Sequence, residues 1–167
     1  VERPFGSLTF IEVNSINDPN LYLKPYIKQL SVTNFGGPSS PGDVYRFKVI
    51  AVNSSKEGDS LISKSFELIS LPGKPLASPV SDPLVTSGTR IKVDYTSVLD
   101  NGGSPIISYV LQMNYSLDIN SWFTVSGDNP FLGLNVIIEE NIIRGSTYYF
   151  RYGAENKLGI GPWSDIG

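Results

Sequence analysis

The chain has no cysteine and no histidine in its 167 residues. Without cysteine there are no disulfides, no thiolate metal sites and no cysteine nucleophile, and the redox compartment is left open because a core of this size can stand without a covalent staple. Without histidine it lacks the commonest general base near neutral pH, the commonest transition-metal ligand and the Ser/His/Asp mechanism. Charged residues make up only 17% and the net charge is -3. No basic field exists to hold a phosphate backbone, so nucleic acid is not an expected partner, and the acidity falls short of a disordered composition. No apolar run approaches the roughly 18 residues of a membrane span, so direct membrane insertion of this segment is not expected. Val1 is not an initiator Met, Val1 to Phe10 lacks a signal-peptide layout, and Asp165-Ile166-Gly167 reads as an unfinished strand. Both ends read as cuts, and missing address signals then carry no information about location.

What is present is punctuation. With 16 Gly and 12 Pro, short β-branched and aromatic runs lie between frequent breaks, which is the all-β pattern. Arg90 to Tyr95 alternates, predicting a half-buried strand with Ile91, Val93 and Tyr95 on one face and Lys92 and Asp94 on the other. After the turn Asp100-Asn101-Gly102-Gly103, Ile106 to Asn114 continues with Tyr109, Leu111 and Met113 on its inner face. Phe131 to Ile143 holds Val136, Ile137 and Ile138 side by side with Gly133, which favours strand over helix. A boundary falls at Leu71-Pro72-Gly73-Lys74-Pro75, followed by Pro79 and Pro83, prolines that lack amide donors and suit a linker running into an edge strand.

The boundary separates two similar halves. Tyr45 to Asn53 aligns with Tyr148 to Asn156, with four identities in nine positions at a spacing of 103 residues (148 minus 45). Gly42 and Gly145 each sit three places before the Tyr, and a Gly and a Ser follow each Asn, at Gly58 and Ser60 and at Gly159 and Ser164. A period of about 100 residues is that of one β-sandwich domain. In the second copy Tyr148, Phe150, Tyr152 and Ala154 alternate toward a core while Arg151 and Glu155 face water. Tyr45 and Tyr148 follow a Gly turn, where a buried ring can keep its hydroxyl on backbone at the corner of a sandwich.

At these residues the chain resembles the fibronectin type III family, whose later strands read as Gly, then Tyr-x-Phe-x-Val-x-Ala-x-Asn, then a Gly-containing hairpin and a Ser. Asp100 to Ile106 with Tyr109 is similar to that family's turn between the second and third strands, and Gly159-Ile160-Gly161-Pro162-Trp163-Ser164 to its last hairpin. The resemblance implies tandem immunoglobulin-like β-sandwiches. Residues 1–70 would be the C-terminal part of one domain, 71–83 the Pro-rich linker and first edge strand, and 74–167 a second, nearly complete domain. The first copy matches only from about Leu8, as though its first two strands had been cut away. Tyr95 stands where the family places a core Trp, so its buried hydroxyl needs a partner. Ser39-Ser40-Pro41-Gly42 and Ile142-Ile143-Arg144-Gly145 both depart from the usual Leu-x-Pro-Gly before the corner Tyr, and the first corner can be built differently. The early strand of the first copy runs with Thr9, Ile11 and Val13 inward, or with Leu8, Phe10 and Glu12 inward; the former is preferred because it buries no charge.

The polar constellations are weak. Arg144-Gly145-Ser146 is similar to the Arg-Gly-Asp integrin-binding tripeptide, but Ser replaces the required Asp, and an ordinary turn is the better reading. Trp163-Ser164 resembles half of a cytokine-receptor Trp-Ser-x-Trp-Ser signature that Asp165-Ile166 breaks; a last-strand Trp is favoured. Asn53-Ser54-Ser55 and Asn114-Tyr115-Ser116 are formal N-glycosylation acceptors of a kind that chance alone supplies about twice in such a composition. Asp118, Asn120, Asp128 and Asn129 lack a calcium-loop frame and read as turn chemistry. Glu139 and Glu140 are adjacent on a strand end and point to opposite faces, which a glycosidase pair cannot do.

No catalytic, metal or cofactor residues are therefore expected, and Tyr45, Phe47, Tyr95, Tyr109, Tyr148 and Phe150 are read as fold-defining. The expected function is that of a structural or adhesive repeat in a large exported or cell-surface protein, acting as spacer or filament-forming scaffold. Its expected partners are other protein domains, copies of itself among them. The alternatives are a non-catalytic spacer of a secreted enzyme and an intracellular, cytoskeletal scaffold repeat.

Overall fold

The computed structural model describes residues 6–10, 40–50, 58, 61–115, 121–128 and 130–167, and they form two units, Val1–Leu68 and Ile69–Gly167. No helix occurs among the described residues.

The second unit is a sandwich of two antiparallel sheets. β3 (Val80–Ser81), β4 (Ile91–Asp94) and β7 (Asn135–Ile138) make a three-stranded sheet in the order β3-β4-β7. β5 (Ser108–Asn114), β6 (Phe123–Ser126), β8 (Tyr149–Asn156) and β9 (Gly159–Ile160) make a four-stranded sheet in the order β6-β5-β8-β9. Register explains the core. In the first sheet Ile91 pairs with Ile138 and Val93 with Val136. In the second, Tyr109 pairs with Ala154, Leu111 with Tyr152 and Met113 with Phe150. Because directly paired residues share a face, both sheets turn a continuous apolar surface inward. The expected alternation in Arg90 to Tyr95 is present: Ile91, Val93 and Tyr95 are all buried.

The turn at 100–103 has the backbone expected of it, with Gly102 at φ 69° and Gly103 at φ 76°. At Gly102 a Cβ would lie 2.2 Å from the carbonyl oxygen of Ser70, so the chain passes too close for any side chain there. The region read as a linker is tied into this unit. Ser70 N donates to Gly102 O and Gly73 N to Asp100 O, while Pro72 and Pro79 are fully buried. Past β9 the chain keeps to the flank of β8: Gly161 N donates to Ala154 O, and Gly167 and Phe150 exchange two backbone bonds of 3.0 Å.

One expectation is narrowed here. The apolar stretch Phe131 to Ile143 is a strand only over β7; before it, Phe131 O accepts from Tyr109 N and Leu134 O from Tyr95 N. Its far end closes at Asn141, whose φ of 59° is tolerated because Asn can take the left-handed region.

In the first unit, β1 (Val44–Tyr45) pairs antiparallel with β2 (Phe66–Glu67), and a bridge joins Lys48 to Ile62. Tyr45 is buried, and Phe47 packs edge-on to Phe66 at 5.5 Å. Of the early strand only Leu8, Thr9 and Phe10 are described: Leu8 and Thr9 are exposed and Phe10 is half-buried with the Lys48 ammonium 5.9 Å from its ring centre, so the three residues follow neither orientation throughout. Ile11, Glu12 and Val13 lie outside the described residues.

Candidate interaction surface

The repeated motif reaches its positions through two corners. Gly42 and Gly145 both take left-handed backbone, at φ 94° and 86°, so each chain turns just before its Tyr. At the second corner Tyr148 Oη accepts from Ile143 N at 2.6 Å and donates to Asn141 O at 3.3 Å, the backbone-bonded arrangement expected. The first corner is built differently, as the altered sequence around it implied. There Tyr45 Oη donates to the Asp43 carboxylate at 3.0 Å.

The core beneath is aromatic. Tyr95 lies 4.8 Å from Tyr152 and 6.1 Å from Tyr109, ring centre to ring centre. Tyr152 Oη donates to Thr96 O at 3.0 Å. Tyr95, only 5% exposed, has no hydrogen-bond partner for its hydroxyl among the described residues, contrary to the expectation that the core would supply one. Burial first, then the neighbouring phenols of Tyr152 and Tyr109, push its pKa up to about 12. Phe150 and Tyr109 are buried, and Tyr148 packs half-buried against the same cluster.

The outer face of the four-stranded sheet carries an arrangement the sequence reading missed. Arg151, expected to face water, has its guanidinium 4.3 Å from the Trp122 ring and 4.8 Å from the Trp163 ring, and its Nε donates to Gln112 Oε1 at 2.9 Å. Gly153 makes the room: a Cβ there would stand 3.3 Å from Trp163 Cε3 and 3.1 Å from Ile160 Cγ2. Desolvation beside the indoles lowers the Arg151 pKa, yet a guanidinium stays charged at any ordinary pH. The available signal was the coincidence of the chain's 2 Trp with a cation at the outward position of β8.

Trp163 is held by Ser164. Tyr152 N donates to Ser164 Oγ at 3.1 Å, and Ser164 N returns a bond to Tyr152 O at 2.8 Å. The first unit repeats the device: Phe47 N donates to Ser63 Oγ and Ser63 N to Phe47 O, both at 2.8 Å. The exchange falls two residues earlier in the motif than in the second unit, and Ser60, aligned with Ser164, lies outside the described residues.

On the opposite sheet Lys92 pairs with Asp82 at 2.8 Å and Asp94 at 3.4 Å. The hydrogen bond between Lys92 and Asp82 raises the former's pKa and lowers the latter's. Arg144-Gly145-Ser146 is an exposed turn closed by Ser146 N on Ile143 O. Asn114 is 0% exposed, so this fold cannot carry a glycan on its side chain; a sequon records residue types and not burial. Asn53, Asp118, Asn120 and Asn129 lie outside the described residues. Among the described residues no cluster of acidic side chains could hold a metal ion, and no helix is long and apolar enough to cross a membrane.

A three-stranded sheet packed on a four-stranded one, with a tyrosine corner and a last hairpin against β8, defines an immunoglobulin-like β-sandwich protein. No family model matches the sequence. The fibronectin type-III domain-containing protein 3A of Pongo abelii and that of Homo sapiens are each 29% identical over 133 residues. The match covers 75% of this chain and 10% of each relative, so the chain spans a small part of their length. A crystal structure of domains from titin superposes with a TM-score of 0.54 at 22% identity, over 79% of this chain and 42% of that one. A solution structure of a human fourth FNIII domain does so with a TM-score of 0.50 at 20% identity, over 59% and 78%. These likenesses support the resemblance of the chain to the fibronectin type III family.

Proposed function

We propose that this chain is a structural or adhesive repeat of a large exported or cell-surface protein, acting as a non-catalytic spacer or filament-forming scaffold for protein partners. At the coarser level it is a structural and protein-interaction repeat module. The observation that carries the finer reading is that the repeated motif goes inward: Tyr148, Phe150, Tyr152 and Ala154 pack together and offer solvent no reactive group. What remains outside is sheet face, strand edge and hairpin tip, the parts through which sandwich domains meet other proteins. Partners on this reading are other protein domains, including copies of the same repeat.

Two measurements test it. Small-angle scattering of the purified chain across a concentration series is expected to show association growing with concentration; a strictly monomeric profile at high concentration overturns the filament-forming part. Intact mass of native material is expected to show glycan on an exported protein, with Asn53 as the acceptor to examine. An unmodified chain from native source weighs against export.

A further inference from the structure

Arg151 is a cation held in a fixed place with half of its hydrogen-bonding edge unused. Its guanidinium lies between the rings of Trp122 and Trp163, and Gln112 Oε1 takes the Nε–H. Lys74, Arg90 and Lys92 of the same unit each have a carboxylate within 4.0 Å, whereas Arg151 has none among the described residues. Its two terminal nitrogens have no hydrogen-bond partner among them either. Tyr95 Oη is the sole buried polar side-chain atom there without a partner, so both terminal nitrogens of Arg151 reach solvent.

Each of these features selects a ligand. With Nε occupied, the edge left over is the pair of terminal nitrogens, a planar fork that matches the two oxygens of one carboxylate. The strands of the four-stranded sheet carry no second cation, so a phosphate backbone would find nothing further to bind. The indoles keep water off two sides of the cation, which strengthens a charge pair formed there and leaves ring surface for apolar groups beside it. Trp and Arg are also the residue types that dominate binding energy at protein interfaces. We propose that the outer face of the four-stranded sheet is a docking site for an acidic side chain of a protein partner, bound end-on by Arg151 between Trp122 and Trp163. The partner's residues on either side of that carboxylate are apolar and rest on the indoles. This rests on the reading of the chain as a protein-interaction repeat and adds the chemistry by which one face selects its partner.

With 2 Trp in the chain, the indole N–H signals of a proton–nitrogen NMR spectrum are those of Trp122 and Trp163 alone. The probe is a capped peptide with one Glu between Leu residues, set against its Gln twin and against inorganic phosphate. Titration of the unsubstituted chain with the Glu peptide is expected to shift both indole signals and the Arg151 Nε–H signal saturably. Its affinity is expected to exceed that of the Gln twin and of phosphate by at least about tenfold. R151K keeps the charge and loses the fork, and is expected to weaken the Glu peptide about tenfold, while R90Q on the opposite sheet leaves it unchanged. Equal affinity for the two peptides overturns the proposal by leaving a merely apolar surface, and equal affinity for phosphate overturns it by leaving a general anion site. Undiminished binding by R151K, or no shift at millimolar peptide, overturns it as well. Scattering separates this site from the broader reading. Association that grows with concentration, without a peptide response, removes the site and leaves the repeat reading standing; a monomeric profile with a carboxylate-dependent response keeps the site and removes self-association.

Discussion

Tyr152 and Val49 stand at matching points of one repeated sequence motif, and their surroundings differ sharply. Around Tyr152 the ring of Tyr95 stacks from the opposite sheet, Leu111 pairs across the ladder, and the hydroxyl is bonded to Thr96. Around Val49 the described structure leaves most of the side chain in water. In both halves a left-handed glycine nevertheless precedes the motif's Tyr and a serine hydroxyl accepts from a motif amide, at Phe47 in the first and at Tyr152 in the second. Backbone pairing and core burial are therefore separable here. Local chemistry, a glycine for the corner and a serine for the ladder, builds the hairpin; the opposite sheet makes it part of a stable domain.

The largest test of that separation is truncation on both sides of it. Tyr152→Ala should cost about 3 to 5 kcal/mol by emptying a filled core, while Val49→Ala should change stability by less than about 0.5 kcal/mol. Urea denaturation followed by circular dichroism reads both; similar losses would erase the contrast. Next comes the serine device. Ser164→Ala leaves the buried amide of Tyr152 without its acceptor and should cost about 1 to 3 kcal/mol, whereas Ser63→Ala, at a more open site, should cost about 1 kcal/mol or less.

The Trp face belongs to the second copy alone, since Ile50 stands where Gly153 makes room for the indole. Arg151→Ala should cost about 1 to 2 kcal/mol and red-shift the tryptophan emission as both rings become wetter. Arg151→Lys should recover only part of this, because a point charge covers less ring surface.

Tyr95→Phe is expected to act in the other direction. Removing a hydroxyl that is buried without a partner should leave stability unchanged or raise it by about 1 kcal/mol. The pH dependence follows from the raised pKa of Tyr95. Its stabilising protonated state is fully present below the ordinary phenol value of 10.0 and is lost as pH rises toward about 12, so alkaline unfolding should begin in that window. The Phe variant should show a shallower decline there in a pH-jump denaturation series.

Much of the second sandwich was legible in the sequence because its rules are local. Alternation in 90–95 and 148–154 gives the inner faces, and paired glycines at 102 and 103 give the turn. What was missed depends on neighbours distant in the chain. Arg151 lies at an outward position, and only the approach of Trp122 and Trp163 turns that position from wet to covered. Asn114 fits a glycan acceptor by residue type, but register with β8 buries it. Tyr95 fills the place of a Trp, and nothing local could tell whether an acceptor would meet its hydroxyl. At Phe10 the prediction followed charge avoidance, while its half-burial comes with the approach of Lys48, distant in the chain.

One feature of the second unit sets a direction as well as a shape. The side-chain amide of Asn156 donates to Ser70 O at 2.7 Å and to Asn101 O at 3.0 Å. A single fully buried side chain thereby clamps the first residues of this unit and its Gly turn to the tip of β8, across 86 positions of sequence in the case of Ser70. The heading on which the polypeptide runs into the sandwich is thus fixed by the far end of the same sandwich. A displacement of the segment at Ser70 is thereby passed straight to the tip of β8 through one amide.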